Sequence, residues 1–135
     1  MTNEVNMLLT ERFGGDSLIA LATIGDGMPH VRTVDAVYMG GAFYCITHLL
    51  SGKMQQIAKS NLVAVCGEWF TGHGVGESLG YVCAPENQEI ASMLRKAFAA
   101  WYDNGHTNED DPNTIILRIR LTDGVLYSKG TRYEL

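Results

Sequence analysis

The sequence is poor in everything that would staple or anchor a fold. Its three cysteines, Cys45, Cys66 and Cys83, are an odd and widely spaced set, which fits neither a disulfide framework nor a zinc site. Each lies in an apolar, strand-like run without a neighbouring cation, so all three are expected to be buried free thiols with no chemical role. Cationic residues are also scarce. Ten Lys and Arg face fifteen Asp and Glu, and the net charge of −5 provides no general field for nucleic acid or an anionic membrane. Neither is an expected partner, and an anionic ligand would have to be held by local cations. No apolar run approaches the ~20 residues of a membrane-spanning helix. Met1-Thr2-Asn3-Glu4 lacks the basic start of a secretion signal, so a cytoplasmic location is expected. The histidines at positions 30, 48, 73 and 106 have no ligand spacing, and no metal centre is expected. Gly72-x-Gly74-x-Gly76 lacks the strand-to-helix context and final spacing of a dinucleotide fingerprint.

What is present fits one compact domain over residues 1–135. Apolar residues make up 46% of the chain and charged residues 19%, ordinary values for a globular protein of this length. Val5, Leu8, Leu9 and Phe13 recur at helical spacing over residues 3–13, and Gly14-Gly15 supplies the stop. Strands are expected near 17–24, 29–38 and 42–47, followed by a short helix at 52–59 with Ser51 as N-cap. Leu62 to Trp69 reads as a further strand, Gly72-His73-Gly74 as a turn, and Gly76 to Cys83 as the next strand. Pro85 opens a helix whose Ile90, Met93, Leu94, Ala97, Phe98 and Trp101 form one stripe. After an acidic connection at 104–113, an apolar run from Thr114 extends toward Tyr127. The expected fold is mainly β with flanking helices, a six-stranded antiparallel split β-barrel.

The most informative stretch is Pro29 to Lys53. Two strand patterns joined by Gly40-Gly41 run into a helix led by Ser51-Gly52-Lys53. Arg32 offers a guanidinium, Thr47 a hydroxyl at the strand's exit, Lys53 an ammonium, and the helix start its free N–H groups. Those are the parts of a phosphate site. Ser51 has two readings, a helix cap worth ~1 kcal/mol or a phosphate ligand. Lys53 stands where the helix macrodipole disfavours a cation, which argues for a compensating anion nearby.

The order of these pieces resembles the pyridoxamine 5'-phosphate oxidase-like family of flavin-binding split barrels. The resemblance runs through Ser17–Ile24, the turn Gly25-Asp26-Gly27, Pro29–Val34, Phe43–Thr47, the Ser51-x-Lys53 helix start and Asn61–Val65. It covers roughly half the chain. Gly67–Gly74 is similar to the branch with 5-nitroimidazole-resistance-like and general-stress-like members. The resemblance implies FMN held by its phosphate at Arg32, Ser51, Gly52 and Lys53, with the isoalloxazine along Thr33 and Val34 and against Thr47. His48 either lines the flavin or lies on a surface loop, and Trp69 either stacks on a ring or packs in the core. It further implies a homodimer with the cofactor at the subunit interface and a small-molecule substrate. Two functions stand side by side: an oxidoreductase passing electrons between a nicotinamide or small organic reductant and an acceptor, or a non-catalytic flavin or haem sensor, store or carrier. No acid–base pair is evident. The sequence ends at Gly130-Thr131-Arg132-Tyr133-Glu134-Leu135, without the Trp- and Arg-containing tail of the family's namesake oxidases, and oxidation of pyridoxamine phosphate is not expected. Arg118 and Arg120, at alternate strand positions on one face, are the remaining pair that could contact an anion.

Overall fold

A computed structural model describes all residues from 1 to 135. Seven strands surround one core: β1 (Ser17–Gly25), β2 (Met28–Met39), β3 (Ala42–His48), β4 (Leu62–Gly67), β5 (Phe70–Tyr81), β6 (Thr114–Ser128) and β7 (Thr131–Glu134). They pair in the order β3-β2-β1-β4-β5-β6-β7, and β3 also pairs with β6. The first six strands therefore close into an antiparallel barrel and β7 extends β6 outside it. That hairpin turns at Lys129 and Gly130, both at positive φ, and was not apparent from the sequence.

Alternation builds the interior. Ile19 and Leu21 of β1, Val63 and Val65 of β4, and Phe43 and Cys45 of β3 are buried in a core of 18 residues, with their chain neighbours facing outward. Helix α1 (Asn3–Phe13) closes one end by inserting Val5, Leu9 and Phe13. Thr2 caps it, accepting from Val5 N–H at 3.2 Å. Helix α2 (Gly52–Lys59) closes the other end with Met54 and Ile57. Ile115, Ile116 and Leu117 are all buried. Both faces of β6 are covered there, because α3 (Gln88–Ala97) packs Ala91 and Leu94 on the outside of the barrel. A 3-10 turn at Pro85–Asn87 precedes α3, which ends four residues short of the stripe's last member, Trp101.

The expected turn at Gly72-His73-Gly74 is instead the interior of β5, which runs unbroken from Phe70. These glycines answer to crowding. A Cβ on Gly72 would lie 2.8 Å from the Asp123 carbonyl oxygen and one on Gly74 2.7 Å from that of Arg120, so no side chain fits between β5 and β6 here. The cysteines also differ from expectation: only Cys45 is buried, whereas Cys66 and Cys83 are exposed, all three being free thiols. The period of two that buries Val63 and Val65 turns Cys66 outward.

The barrel is split in one place. β2 and β3 pair only where Val37, Tyr38 and Met39 meet Tyr44, Phe43 and Ala42. Before Val37, β2 pairs with β1 alone, and after Tyr44, β3 pairs with β6 alone. The two strands diverge toward the end closed by α2.

Candidate functional site

Arg32 lies opposite Leu21 in the β1–β2 register, so its side chain shares the inward face. Its Nη1 donates to Thr23 Oγ1 at 2.6 Å and its Nη2 to Gln56 Oε1 at 3.1 Å. Thr23 is fully buried and its own hydroxyl donates a hydrogen bond to Gln56 Oε1 at 2.5 Å. These two side chains fix the guanidinium plane without neutralising it. Sequence reasoning missed both, although a Thr at an inward position of a strand otherwise filled by Ile19 and Leu21 is a signal that something polar waits inside.

Lys53 stands three residues before Gln56 on α2, on the same helical face. It is half-buried, and burial lowers its pKa, with the Arg32 charge acting in the same direction. Burial also lowers that of Arg32. The structure's ion pairs engage Arg95, Arg118, Arg120, Arg132, His48 and His73, and none involves Arg32 or Lys53. Cys45, beside Lys53, supplies no anion, because burial pushes its thiol up to about 12. Two partly desolvated cations thus lie near enough for the Arg32 charge to act on Lys53, and neither has an ion-pair partner, which costs free energy.

Ser51 completes the arrangement. It has the extended backbone of an N-cap, yet its side chain makes no cap hydrogen bond, and its Oγ is a buried atom without a partner. Ser51 thus holds the expected N-cap position without a side-chain cap bond, and its hydroxyl has no partner in the chain, like the first-turn N–H groups that a helix start leaves free. A recess of about 390 Å³ lined by Gly25, His30, Gly52, Gln55, Gln56 and Lys59 opens beside them. A second recess, about 600 Å³, lies on the other flank of α2 among Leu49, Met54, Ile57 and Leu62, and neither recess is lined by Arg32, Ser51 or Lys53. The cradle is defined by its unpaired groups, not by cavity size.

The remaining expected site residues divide. Thr47 shares the inward alternation of Cys45 at the open end of β3, and Val34 faces inward on β2 while Thr33 is exposed. His48 follows Thr47, but its ring is occupied: one nitrogen lies 2.9 Å from Asp111 Oδ2 and the other accepts from Leu50 N–H at 3.2 Å. Trp69 is not brought to the others within this chain. It is 71% exposed in the β4–β5 turn at the α1 end, where Arg12 donates to the Glu68 and Trp69 carbonyl oxygens. Glu77 pairs with both Arg118 and Arg120, at 2.6 and 3.1 Å, so one carboxylate serves two guanidiniums, and Arg118 Nε is buried without a partner.

No protein-family model matches the sequence, and no curated protein matches it. Solved structures do match. General stress protein 26 from Bacillus anthracis superposes with a TM-score of 0.73 at 16% identity, over 98% of this chain and 99% of that one. A protein from Clostridium acetobutylicum related to general stress protein 26, of the pyridoxinephosphate oxidase family, gives 0.67 at 17% identity over 100% and 96%. An FAD-binding protein from Mesorhizobium loti gives 0.70 at 14% identity over 92% of each chain. Its barrel, its split between β2 and β3 and its end-closing helices give this chain the split-barrel fold of the pyridoxamine 5'-phosphate oxidase-like proteins.

Proposed function

We propose that this chain binds FMN by its phosphate at the α2 end of the split and acts as an oxidoreductase. The observation that carries the reading is the buried, unpartnered Ser51 Oγ beside two desolvated cations that no carboxylate serves. A phosphomonoester supplies acceptors for the hydroxyl, the guanidinium, the ammonium and the helix N–H groups at once. The flavin-binding character of a neighbour of the same fold supports the cofactor class. Bound flavin would supply two-electron transfer between a nicotinamide or small organic reductant and an acceptor. The chain's part is positional: Thr23 and Gln56 hold Arg32 on the phosphate, and the gap between β2 and β3 offers Val34 and Thr47 to the ring.

The same reading makes the protein a homodimer with the cofactor at the subunit boundary. Leu18, Val31 and Leu62 are 66%, 71% and 67% exposed on the outer face of adjacent strands β1, β2 and β4, where Ala22 lies in register with Val31 and Ala64, and Asp35 stands opposite Leu18 at the margin. An apolar sheet face of this kind supports burial against a second copy.

The test is a titration of the protein with FMN and riboflavin, followed by the Arg32→Ala, Lys53→Ala double variant. FMN is expected to bind more tightly than riboflavin, and the double variant to lose two or more orders of magnitude, since charge-assisted hydrogen bonds are worth ~1.5–3 kcal/mol each. Equal affinity for the two flavins, or an unaffected double variant, overturns the assignment. Oxidation of reduced nicotinamide by the FMN-loaded protein then separates an oxidoreductase from a carrier, and a Soret band in the protein as purified would point to haem.

A further inference from the structure

The loop that carries Ser51 is tied to the segment leading into β6, the strand paired with β3, by a closed ring of hydrogen bonds. His48 Nε2 lies 2.9 Å from Asp111 Oδ2. Its Nδ1 accepts from Leu50 N–H at 3.2 Å, which makes Nε2 the protonated nitrogen that donates to Asp111. Asp111 Oδ1 accepts from Asn113 N–H at 2.9 Å, and the Asn113 carbonyl oxygen accepts from Leu49 N–H at 2.8 Å. The His48 carbonyl oxygen in turn accepts from Ser51 N–H at 3.1 Å. Residues 48–51 are thus held by four bonds, two of which reach the segment before β6. Gln55 Nε2 adds a fifth hold by donating to the Leu50 carbonyl oxygen at 3.0 Å, and His48 Nδ1 is the side-chain acceptor of the Leu50 N–H.

We infer that His48 and Asp111 are positioning residues that latch the phosphate loop, setting the place of the Ser51 hydroxyl and the α2 N-terminus before a ligand arrives. The inference rests on the phosphate reading for what the loop holds, but the latch itself is a property of the free protein. A loop already fixed in its binding geometry loses less conformational entropy on binding, so the latch raises affinity without touching the ligand. The imidazole, whose two nitrogens are already committed within the chain, works through Leu50 and not on the flavin.

Three variants separate this from a general structural role. His48→Ala removes both ring contacts. His48→Asn keeps an acceptor at a reach close to that of Nδ1 and abolishes the Asp111 contact. Asp111→Ala leaves the imidazole in place but unanchored. The two readouts are FMN affinity and backbone amide exchange at Leu50 and Ser51 in the FMN-free protein. His48→Ala is expected to weaken FMN about tenfold, the value of one lost hydrogen bond that ordered the loop, and to raise exchange at Leu50 and Ser51 by a similar factor while leaving core strand amides unchanged. His48→Asn is expected to recover most of both losses, and Asp111→Ala to fall between. Exchange at Leu50 and Ser51 that is fast in wild type, or unchanged in His48→Ala, overturns the latch whatever FMN does. Protected amides that open in His48→Ala, in a wild type that does not bind FMN, leave the latch standing and sink the phosphate reading instead. Loosened amides with unchanged FMN affinity, in a wild type that binds FMN, overturn its role in ligand binding.

Discussion

Arg32 donates to Thr23 at 2.6 Å inside the barrel's mouth, and Thr23 has no exposed surface at all. A hydroxyl in that position serves the guanidinium, since the buried residues before it on the same face of β1, Ile19 and Leu21, are aliphatic. Thr23→Val keeps the volume and removes the acceptor, leaving Arg32 Nη1 and Gln56 Oε1 each short of a partner. The variant is expected to lose about 1–3 kcal/mol in urea denaturation, and FMN affinity is expected to fall about tenfold through misorientation of Arg32. A destabilised protein with wild-type FMN affinity would show that Thr23 is a packing residue only.

The crowding of β5 against β6 gives a prediction free of any assumption about ligands. Gly74→Ala would place a Cβ 2.7 Å from the Arg120 carbonyl oxygen, a backbone atom that cannot swing away. The strands must part locally, at a cost of about 1–3 kcal/mol or more. Gly15→Ala meets nothing within 4 Å and is expected to stay within about 0.5 kcal/mol of wild type. Equal stability of the two variants by chemical denaturation would contradict the packing described for β5.

These glycines also show where sequence reading stops. Helices α1 and α2 were legible to the residue because periodicity and their flanking stop signals agree within each segment, and the Gly25–Gly27 and Gly40–Gly41 turns were legible because positive φ is a local demand. Gly72 and Gly74 read as a turn because nothing in the sequence says that their side-chain space is taken by a strand some fifty residues away. β7 is four residues long, too short for any period to register. At the site, Arg32, Ser51 and Lys53 were legible as a set, whereas Thr23 and Gln56 were not, since their role exists only once β1, β2 and α2 converge. Ser51 as a cap was the reasonable local reading. The structure keeps Ser51 at the N-cap position, but its hydroxyl makes no cap hydrogen bond and is buried without a partner.

The segment before β6 is held by Glu109. Its carboxylate receives Arg95 Nε at 2.7 Å and Nη2 at 3.0 Å, and also the Tyr102 hydroxyl. The Arg95 hydrogen bonds hold its pKa down to about 2, against an ordinary value of 4.5. A carboxylate with a lowered folded pKa contributes stability above its unfolded value, and that contribution is lost as the pH falls from about 4.5 toward 2. Glu109→Gln should therefore melt several degrees below wild type at pH 7 and converge with it near pH 2, provided both remain folded there. A gap that stays constant across that range would mean that packing of the side chain, not its charge, accounts for the loss.

Dimerisation is tested on the outer sheet face. Leu18→Glu with Val31→Lys changes two side chains that are largely exposed and make no part of the barrel core, so the monomer fold should survive. Sedimentation at micromolar concentration is expected to give a dimer for wild type and a monomer for the double variant, because charges buried at an apolar interface cost several kcal/mol unless they are paired. A monomeric wild type, or an unperturbed dimer in the variant, would place the interface elsewhere or remove it.

Ser51→Ala gives the sharpest separation of ligand binding from folding. An N-cap Ser normally contributes about 1 kcal/mol through its hydroxyl, and Ala at such a position is destabilising. Here the hydroxyl serves no N–H of α2 and is buried without a partner, so removing it takes away an unsatisfied polar atom and no bond. The variant is expected to match or exceed wild-type stability in the absence of ligand, within about 0.5 kcal/mol by denaturant titration. FMN affinity should move the other way. A hydroxyl donating to a phosphate oxygen is a charge-assisted bond worth about 1.5–3 kcal/mol, so the dissociation constant should rise by about one to two orders of magnitude. FMN should then raise the melting temperature less in Ser51→Ala than in wild type at the same concentration, because stabilisation by a ligand scales with its occupancy of the native state. Loss of stability without loss of FMN affinity would restore the capping role and take away the strongest support for a phosphate at this end of the barrel.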